Sequence, residues 1–252
     1  MSKLPSPNRG LLLFAGLTIG YFTIQYKTQE KYSSIAMIVY LILLLVFQFG
    51  INVNLTKILC GESHVKTAFF YTMFPWVFIF GLLNIMLIIF PGWLSPFSNT
   101  FGYMIVSTMG GLNNVLGEVL KSKEQTQNSE LSKTLGKIYD NPSLLINEIP
   151  DPTVGYEEFW HKLDKGGLLS SNAQNYYAKL QDLVRLKFII SKFIWLGLTG
   201  ALTVVTSYNY IIQSQCSSSV KEMERRHSEY QQLVKENSEK EIEPRVYSDY
   251  GH

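Results

Sequence analysis

Cys60 and His64 carry the side chains with the clearest spacing for metal binding. They lie four residues apart, so on a helix both side chains would project from the same face. A structural zinc site, however, uses four protein ligands, and a catalytic one uses three. Two candidates do not reach that number, and we therefore expect no metal site here.

A second group that could do chemistry surrounds Trp160. Glu157, Glu158 and His161 could act as general acids or bases if the fold brought them into a cleft. A solvated face of a short helix accounts equally for their spacing. The sequence also lacks the phosphate-binding, metalloprotease and serine-hydrolase motifs that would supply a catalytic frame. We therefore predict that the protein is not an enzyme, and we expect it to use no cofactor.

Cys60 and Cys216 could instead form a disulfide. The chain has four apolar segments, described below, that could each cross a membrane. If all four do, both cysteines lie just outside the bilayer on the same face, beside the ends of two membrane helices. A disulfide needs Cα atoms within about 7 Å of each other and an oxidising compartment. Two unpaired thiols are the alternative that the sequence leaves open.

The elements that must position these residues are membrane helices. A hydrocarbon layer about 30 Å thick needs about 20 apolar residues per helix, whereas the interior of a water-soluble protein needs no such runs. The first apolar segment is short for a span, so it could tilt or lie partly in the interface. The sequence predicts an all-α, multi-span helical integral membrane protein. Its four apolar segments contain no Asp, Glu, Lys, Arg or His and are Leu11–Tyr26, Ser34–Ile51, Ala68–Phe90 and Phe193–Ile212.

Small and amide side chains within these segments predict where the helices pack together. Gly16 and Gly20 lie four residues apart and would leave a flat helix face that another helix can approach closely. Asn84, near the middle of the third segment, is typical of a hydrogen bond between helices. We expect Gln48, near the end of the second segment, either to hydrogen-bond to a neighbouring helix or to reach the interface. The predicted packing positions are Gly16, Gly20, Asn84, Gly197 and Ala201.

The third apolar segment ends in a predicted turn at the membrane surface. A proline at the second position and a glycine at the third are typical of a type II turn, and tryptophan favours the headgroup level. The helix predicted next, Phe101–Leu120, is too polar for a comfortable span and too apolar for open water. We expect it to lie in the interface or to re-enter the membrane, with Gly110 and Gly111 marking a bend or a close contact. The turn residues are Pro91, Gly92, Trp93 and Pro96.

A long polar region precedes the last apolar segment. No proline interrupts Asn172–Gln215, so we predict one continuous helix that carries the last span and projects from the bilayer. At 1.5 Å per residue it would be about 66 Å long. The predicted regions are a membrane bundle over 1–94, an interfacial or re-entrant helix over 95–120, a polar helical insert over 121–186, the final transmembrane helix over 187–215 and a polar tail over 216–252.

Composition and charge narrow the class of partner. The chain is 46% hydrophobic and 17% charged, and its net charge of +2 gives no reason to expect nucleic-acid binding. The distribution of Lys and Arg gives only a slight preference for a cytoplasmic polar insert. We expect the partners to be a lipid bilayer, which the chain crosses several times, and other proteins, with no nucleic acid.

One short stretch resembles a known family. It reads Phe90-Pro-Gly-Trp-Leu-Ser-Pro-Phe-Ser-Asn-Thr-Phe-Gly-Tyr103 and lies between an apolar segment and a glycine-containing amphipathic helix. It is similar to a segment of membrane and minor capsid proteins of nucleocytoplasmic large DNA viruses, including those that infect algae. The rest of the chain is similar to them only in layout. The resemblance implies a protein of a virion internal membrane, derived from a host membrane, with capsid proteins as partners. It transfers no catalytic residue.

These observations favour a structural membrane protein, a virion inner-membrane or minor capsid component that anchors a protein shell to a lipid bilayer. The alternative is an oligomeric channel or transport subunit. No charged residue lies within the apolar segments, so the usual mark of a pump or ion-coupled transporter is missing. A third and less favoured hypothesis is a membrane enzyme whose active site lies in the polar insert.

Overall fold

The computed structural model describes residues 7–28, 33–122, 129–149, 155–214 and 220–241. It is 87% helical. The described residues form no strand, although Leu120 and Leu169 make an isolated antiparallel bridge. Among the described residues, three helices are long and apolar enough to cross a membrane: Ser34–Cys60, Val65–Ile89 and Ala173–Gln213. The first predicted segment, Leu11–Tyr26, is not among these three. These findings confirm the predicted fold class, an all-α protein with several helices that can span a membrane.

The chain divides into two units, Met1–Ile212 and Gln213–His252. In the region 91–108, a 3₁₀ helix, a short α-helix, a π-helix and a second α-helix follow one another without interruption, and we call them together α4. In chain order the helices are α1 (Asn8–Lys27), α2 (Ser33–Cys60), α3 (Val65–Ile89), α4 (91–108), α5 (Leu112–Val119), α6 (Ser129–Asp140), α7 (Ser143–Ile146), α8 (Tyr156–Lys165), α9 (Ala173–Gln213) and α10 (Val220–Glu241).

Helix α2 is longer than the sequence predicts. The change from apolar to polar residues at Asn52 favours a linker from that point, but the helix runs on to Cys60. Asn52 and Thr56 are both buried, because they face neighbouring helices instead of water. The helix is followed by Gly61, whose φ of 74° is a conformation that glycine adopts readily.

Helix α3 changes its winding after a proline. Pro75 has no backbone N–H and cannot continue the hydrogen-bond ladder. The helix passes from α to π winding at Trp76–Gly81 and returns to α winding at Leu82–Ile89. The π-helix is rare in proteins and occurs mostly as a single turn of this kind inside an α-helix.

Four helices pack around the bundle core. α1 lies antiparallel to α9, because Gly10 is next to Val204 while the rings of Phe22 and Phe193 meet 5.5 Å apart nearer the other end. α1 therefore accompanies α9 over most of its apolar segment. The core is formed by Phe14, Phe22, Tyr40, Leu44, Trp76, Phe80, Ile189, Leu196 and Val204.

The outer surface of this bundle is apolar. Large side chains on α2, α3 and α9 point away from the core and are half or more exposed. A protein that folds in water rarely exposes such a continuous surface, whereas a helix bundle in hydrocarbon has no reason to hide it. The most exposed include Ile38, Ile42 and Val46 on α2, Phe70, Val77 and Phe78 on α3, and Leu198 and Leu202 on α9.

A second core lies outside the bundle and joins the insert to the helices before it. The helix predicted over Phe101–Leu120 is divided at Gly110 and Gly111. A single helix there is therefore wrong, whereas the predicted bend or close contact at these two glycines is confirmed. Gly111 has a φ of 70°, and a Cβ on Gly110 would lie 2.7 Å from the Val106 carbonyl oxygen. All four apolar side chains of α5 are buried in this second core, which we call the domain core. They are Leu112, Val115, Leu116 and Val119.

The helices of the insert bury one face each in the same core. α6 contributes Leu135 and Ile138, and α8 contributes Tyr156, Phe159 and Leu163. The Tyr156 hydroxyl donates a hydrogen bond to the Tyr177 carbonyl oxygen at 2.8 Å, and burial raises the pKa of Tyr156. α6 ends at Asp140, directly before Asn141–Pro142, and α8 ends at Lys165, directly before Gly166–Gly167.

Helix α9 connects the two cores. It is continuous over Ala173–Gln213, with a first 3₁₀ turn at Ala173–Tyr176, and it has no break between Val184 and Lys192. The prediction of one long helix is therefore confirmed over the described residues. Leu180 and Val184 lie in the domain core, whereas Ile189, Leu196 and Val204 lie in the bundle core.

The second unit contains α10. It is a 22-residue helix of polar composition, and Arg225 and Glu229 form an ion pair across one of its turns at 2.7 Å. Tyr230, Leu233 and Val234 are exposed.

Candidate functional site

Asn52 holds three helices of the bundle together. Its side-chain amide donates one hydrogen bond to the Thr72 hydroxyl on α3 at 2.7 Å and one to the Ser207 hydroxyl on α9 at 2.8 Å. All three side chains are buried. In hydrocarbon no water competes for these groups, so each bond stabilises the contact between helices. We call Asn52, Thr72 and Ser207 the polar clamp.

The two hydroxyls of the polar clamp in turn donate hydrogen bonds to backbone carbonyl oxygens of α3. Thr72 donates to the Ala68 carbonyl oxygen at 2.7 Å, and Ser207 donates to that of Tyr71 at 2.7 Å. The Tyr71 carbonyl lies four residues before Pro75, whose missing N–H leaves it without its usual helical donor. Ser207 of α9 therefore fills the position that the proline leaves open.

Further polar pairs lie on the same inner faces. The Gln48 amide donates to the Gly10 carbonyl oxygen on α1 at 2.9 Å, which confirms the predicted bond between helices. Thr18 and the Tyr40 hydroxyl are 2.9 Å apart. Every fourth residue of α2 from Tyr40 to Thr56 is buried and lies on the inner face of the helix. This four-residue spacing is the signal in the sequence that marks the inner face. The residues are Tyr40, Leu44, Gln48, Asn52 and Thr56.

The polar clamp gives a first prediction, for Asn52→Ala. This change removes both donors of the clamp, and a hydrogen bond between membrane helices contributes about 0.6 kcal/mol on average, with a maximum near 1.7 kcal/mol. We expect a loss of about 1–2 kcal/mol in unfolding experiments in detergent micelles. Asn54→Ala is the matched control, because Asn54 is exposed two residues away on the same helix. Equal losses from both variants would contradict a role for the clamp.

Close packing between helices uses other glycines than the predicted ones. A Cβ on Gly16, Gly20 or Gly197 would have no heavy atom within 4 Å. In contrast, a Cβ on Gly200 would overlap the Phe14 ring, and one on Gly10 would lie 3.1 Å from Val204. The absence of a side chain at these two positions therefore lets α1 approach α9.

The other two predicted packing residues have limited roles within the chain. The Asn84 amide donates to the Phe80 carbonyl oxygen of its own helix at 2.7 Å. Ala201 is half-buried on α9. Gly16 and Gly20 border an open apolar groove of about 380 Å³ between α1 and α2.

Lys187 lies at the point where the two cores meet. Only 1% of this residue is exposed. Its ammonium donates to the Ile146 carbonyl oxygen and to the Asn147 side-chain oxygen, both at 2.9 Å, and to the Asn99 side-chain oxygen at 3.4 Å. No described carboxylate forms an ion pair with it. The sequence places Lys187 as a charge flanking the membrane helix, but its ammonium is bound by residues of two distant segments, α4 and the end of α7.

The backbone beside Lys187 is also in close contact with α4. A Cβ on Gly102 would lie 2.6 Å from the Lys187 carbonyl oxygen. Glycine at this position therefore allows α4 to reach the backbone of α9. We call Asn99, Gly102, Ile146, Asn147 and Lys187 the junction.

Aromatic rings border the junction on the bundle side. The ring centres of Trp93 and Phe97 in α4 lie 6.0 Å and 5.9 Å from the ring centre of Trp195. Trp93 is 43% exposed, and tryptophan at such a position is typical of a membrane–water boundary. The chain at Pro91–Leu94 is a 3₁₀ helix. Gly92 lacks the positive φ that a type II turn requires, so that predicted turn type is wrong. Pro96 then lies inside the helix that follows.

Arg185 connects the domain end of α9 to α1. Its guanidinium donates to the Tyr26 carbonyl oxygen at 3.3 Å and lies 5.5 Å from the centre of the Tyr26 ring. Tyr26 is in the last turn of α1, where carbonyl groups lack helical partners and attract a positive charge.

The acid–base candidates of α8 lie on a solvated surface. Glu157, Glu158 and His161 are exposed. Glu158 accepts a hydrogen bond from Lys162, which lowers the pKa of its carboxyl group, and the two charges are 2.8 Å apart. The buried side of α8 is apolar, so the structure brings no second catalytic group towards this face within the described residues.

The metal-binding candidates take other roles. Cys60 is disulfide-bonded, and the backbone N–H of His64 donates to the Thr56 hydroxyl at 3.2 Å. Among the described residues, no three His, Cys, Asp or Glu side chains come together in a way that could hold a metal ion. Cys216 lies outside the described residues.

The pairing of Cys60 with Cys216 stays a prediction. The chain has two cysteines, so an intramolecular bond of Cys60 requires Cys216. We expect the denatured, unreduced protein to react with no maleimide and the reduced protein to react with two equivalents. Peptide mapping without reduction should recover the two cysteine peptides as one species. Full labelling before reduction would contradict the bond.

The chain matches no protein-family model, no curated protein and no solved structure. Its function must therefore be argued from the bundle, the junction and the domain.

Proposed function

We propose that this protein is a structural membrane protein that fixes a helical domain to one face of a bilayer. In this proposal α1, α2, α3 and α9 cross the membrane, and the domain presents a surface to a protein shell. The setting suggested by Phe90–Tyr103 is a virion with an internal membrane, where the chain would act as a minor capsid component.

The observation that carries the proposal is the continuity of α9 through both cores. A helix satisfies its own backbone hydrogen bonds and bends little, so a force on the domain reaches the bundle directly. The junction adds contacts from α4 and from the end of α7 on the same stretch of α9. A flexible linker at this point would suit a tether, whereas this arrangement suits a rigid support.

A subunit of an oligomeric channel is the alternative. The open groove at Gly16 and Gly20 favours it, because a helix from another copy could pack there. Against it, the polar clamp uses its groups in bonds between helices instead of presenting them to a path. A symmetric assembly with ion flux in liposomes would establish the channel and displace the structural proposal.

Crosslinking mass spectrometry on intact particles or native membranes tests the proposal. Exposed lysines of the domain, Lys133, Lys137 and Lys179, lie at one end of the bundle. Lys57 and Lys66 lie at the other end, after α2 and before α3 have crossed it. We expect crosslinks from the domain lysines to a shell protein and none from the second pair. Crosslinks from neither group would contradict a role in anchoring a shell.

A further inference from the structure

A cavity opens beside the first turn of α1. Gly10 lies against Gln48 and Val204, yet α2 continues for three more turns to Cys60 and α9 for more than two turns to Gln213. The two longer helices therefore enclose a space beyond the start of α1. Its volume is about 390 Å³, which is in the range of small-molecule sites. We call it the α1 notch.

Two side-chain oxygens of largely buried residues can be reached from the α1 notch. Gln48 and Asn52 are only 2% and 4% exposed, and both line the cavity. Their amide nitrogens are used, by the Gly10 carbonyl and by the polar clamp. No described residue donates a hydrogen bond to either side-chain oxygen. Both oxygens can therefore accept a hydrogen bond from a ligand in the cavity, and such a bond would favour a ligand that carries a donor over one that carries none.

The other polar side of the α1 notch is positively charged. Arg9 lines it, and no described residue forms an ion pair with the guanidinium. Within the described residues, no side chain caps the first turn of α1, so its N–H groups add to the positive potential. Arg9 precedes Gly10, which lies at the level of Val204, within the last apolar segment. An arginine at that depth needs water or an anion.

We infer that the α1 notch binds the headgroup of one phospholipid. The alcohol esterified to the phosphate of this lipid carries a hydrogen-bond donor, as in phosphatidylethanolamine or phosphatidylglycerol. The phosphate would meet Arg9 and the free N–H groups of α1. The ammonium or hydroxyl groups beyond it would donate to Gln48 and Asn52. Phosphatidylcholine has a trimethylammonium group with no N–H and could not make the second contact.

Native mass spectrometry of the full chain tests this inference. The protein would be extracted from nanodiscs that contain equal amounts of phosphatidylethanolamine and phosphatidylcholine, and the lipids retained on it would be counted. We expect one phosphatidylethanolamine per chain above the phosphatidylcholine background. Arg9→Gln should lower that retention about tenfold, because it removes a charge-assisted contact to the phosphate. Gln48→Leu should lower the preference for phosphatidylethanolamine while retaining phosphate binding.

Lys66→Gln is the matched control. It removes one positive charge near the same end of the bundle, but Lys66 does not line the α1 notch, so retention should stay within about twofold. Equal retention of both lipids by the wild type, or equal loss in both charge variants, would overturn the inference. A last arm adds soluble glycerophosphoethanolamine and inorganic phosphate. Displacement of the lipid by inorganic phosphate would show a site for a free phosphate instead, whereas displacement by glycerophosphoethanolamine alone, or by neither, supports the lipid headgroup.

Discussion

Gly102→Ala should separate α4 from α9. The new methyl group would lie 2.6 Å from the Lys187 carbonyl oxygen and 2.9 Å from Lys187 Cγ. The first of these is backbone in the middle of a long helix, so it cannot rotate away. Overpacking of this kind costs about 1–3 kcal/mol and sometimes more. We expect a lower midpoint of thermal unfolding in detergent and new proteolytic cleavage within α4.

The control for this change is Gly117→Ala in α5. Gly117 is exposed, and a Cβ there would meet no heavy atom within 4 Å. Alanine in an open helical position stabilises by about 0.5–1 kcal/mol relative to glycine. The two variants carry the same substitution and should shift stability in opposite directions. A stabilising Gly102→Ala would mean that α4 does not contact the backbone of α9 in the folded protein.

The membrane helices could be predicted well from the sequence because composition alone determines them. Charge-free apolar runs and the absence of proline are local properties, and they predicted the spans in α2 and α3 and the continuity of α9. The end of α2 was missed for a related reason. Asn52 and Thr56 are polar and read as a linker, although a polar residue within a bundle can face another helix.

The junction and the polar clamp could not be predicted in the same way. Lys187 finds its partners 40 to 88 residues away in the sequence, and no periodic pattern relates those positions. A lysine before an apolar run is most often a solvated flanking charge, so sequence reasoning favours the wrong environment. Likewise, Gly10 and Gly200 carry no spacing motif, while Gly16 and Gly20 carry one and face an open groove.

We expect Lys187 to contribute a large share of the free energy that holds the domain against the bundle. Replacing it with methionine keeps most of the length of the side chain but removes the donor to three oxygens. The carbonyl oxygen of Ile146 belongs to a buried residue, whereas Asn147 is half-buried and Asn99 is exposed. Buried acceptors without donors cost about 1–3 kcal/mol. Lys187→Ala removes the packed methylene chain as well and should cost more, about 2–5 kcal/mol by analogy with large-to-small changes in cores.

Lys179→Met provides the comparison for this series, since Lys179 is exposed two turns earlier on the same helix and should change stability by less than about 0.5 kcal/mol. The expected order of unfolding midpoints is wild type and Lys179→Met highest, Lys187→Met lower and Lys187→Ala lowest. Asn147→Ala should lower the midpoint less in the Lys187→Met background than in the wild type, because the ammonium that Asn147 accepts from is already gone. If the Lys187→Met protein unfolds at or above the wild-type midpoint, the ammonium does not hold the junction together, and apolar packing around α9 alone joins the domain to the bundle.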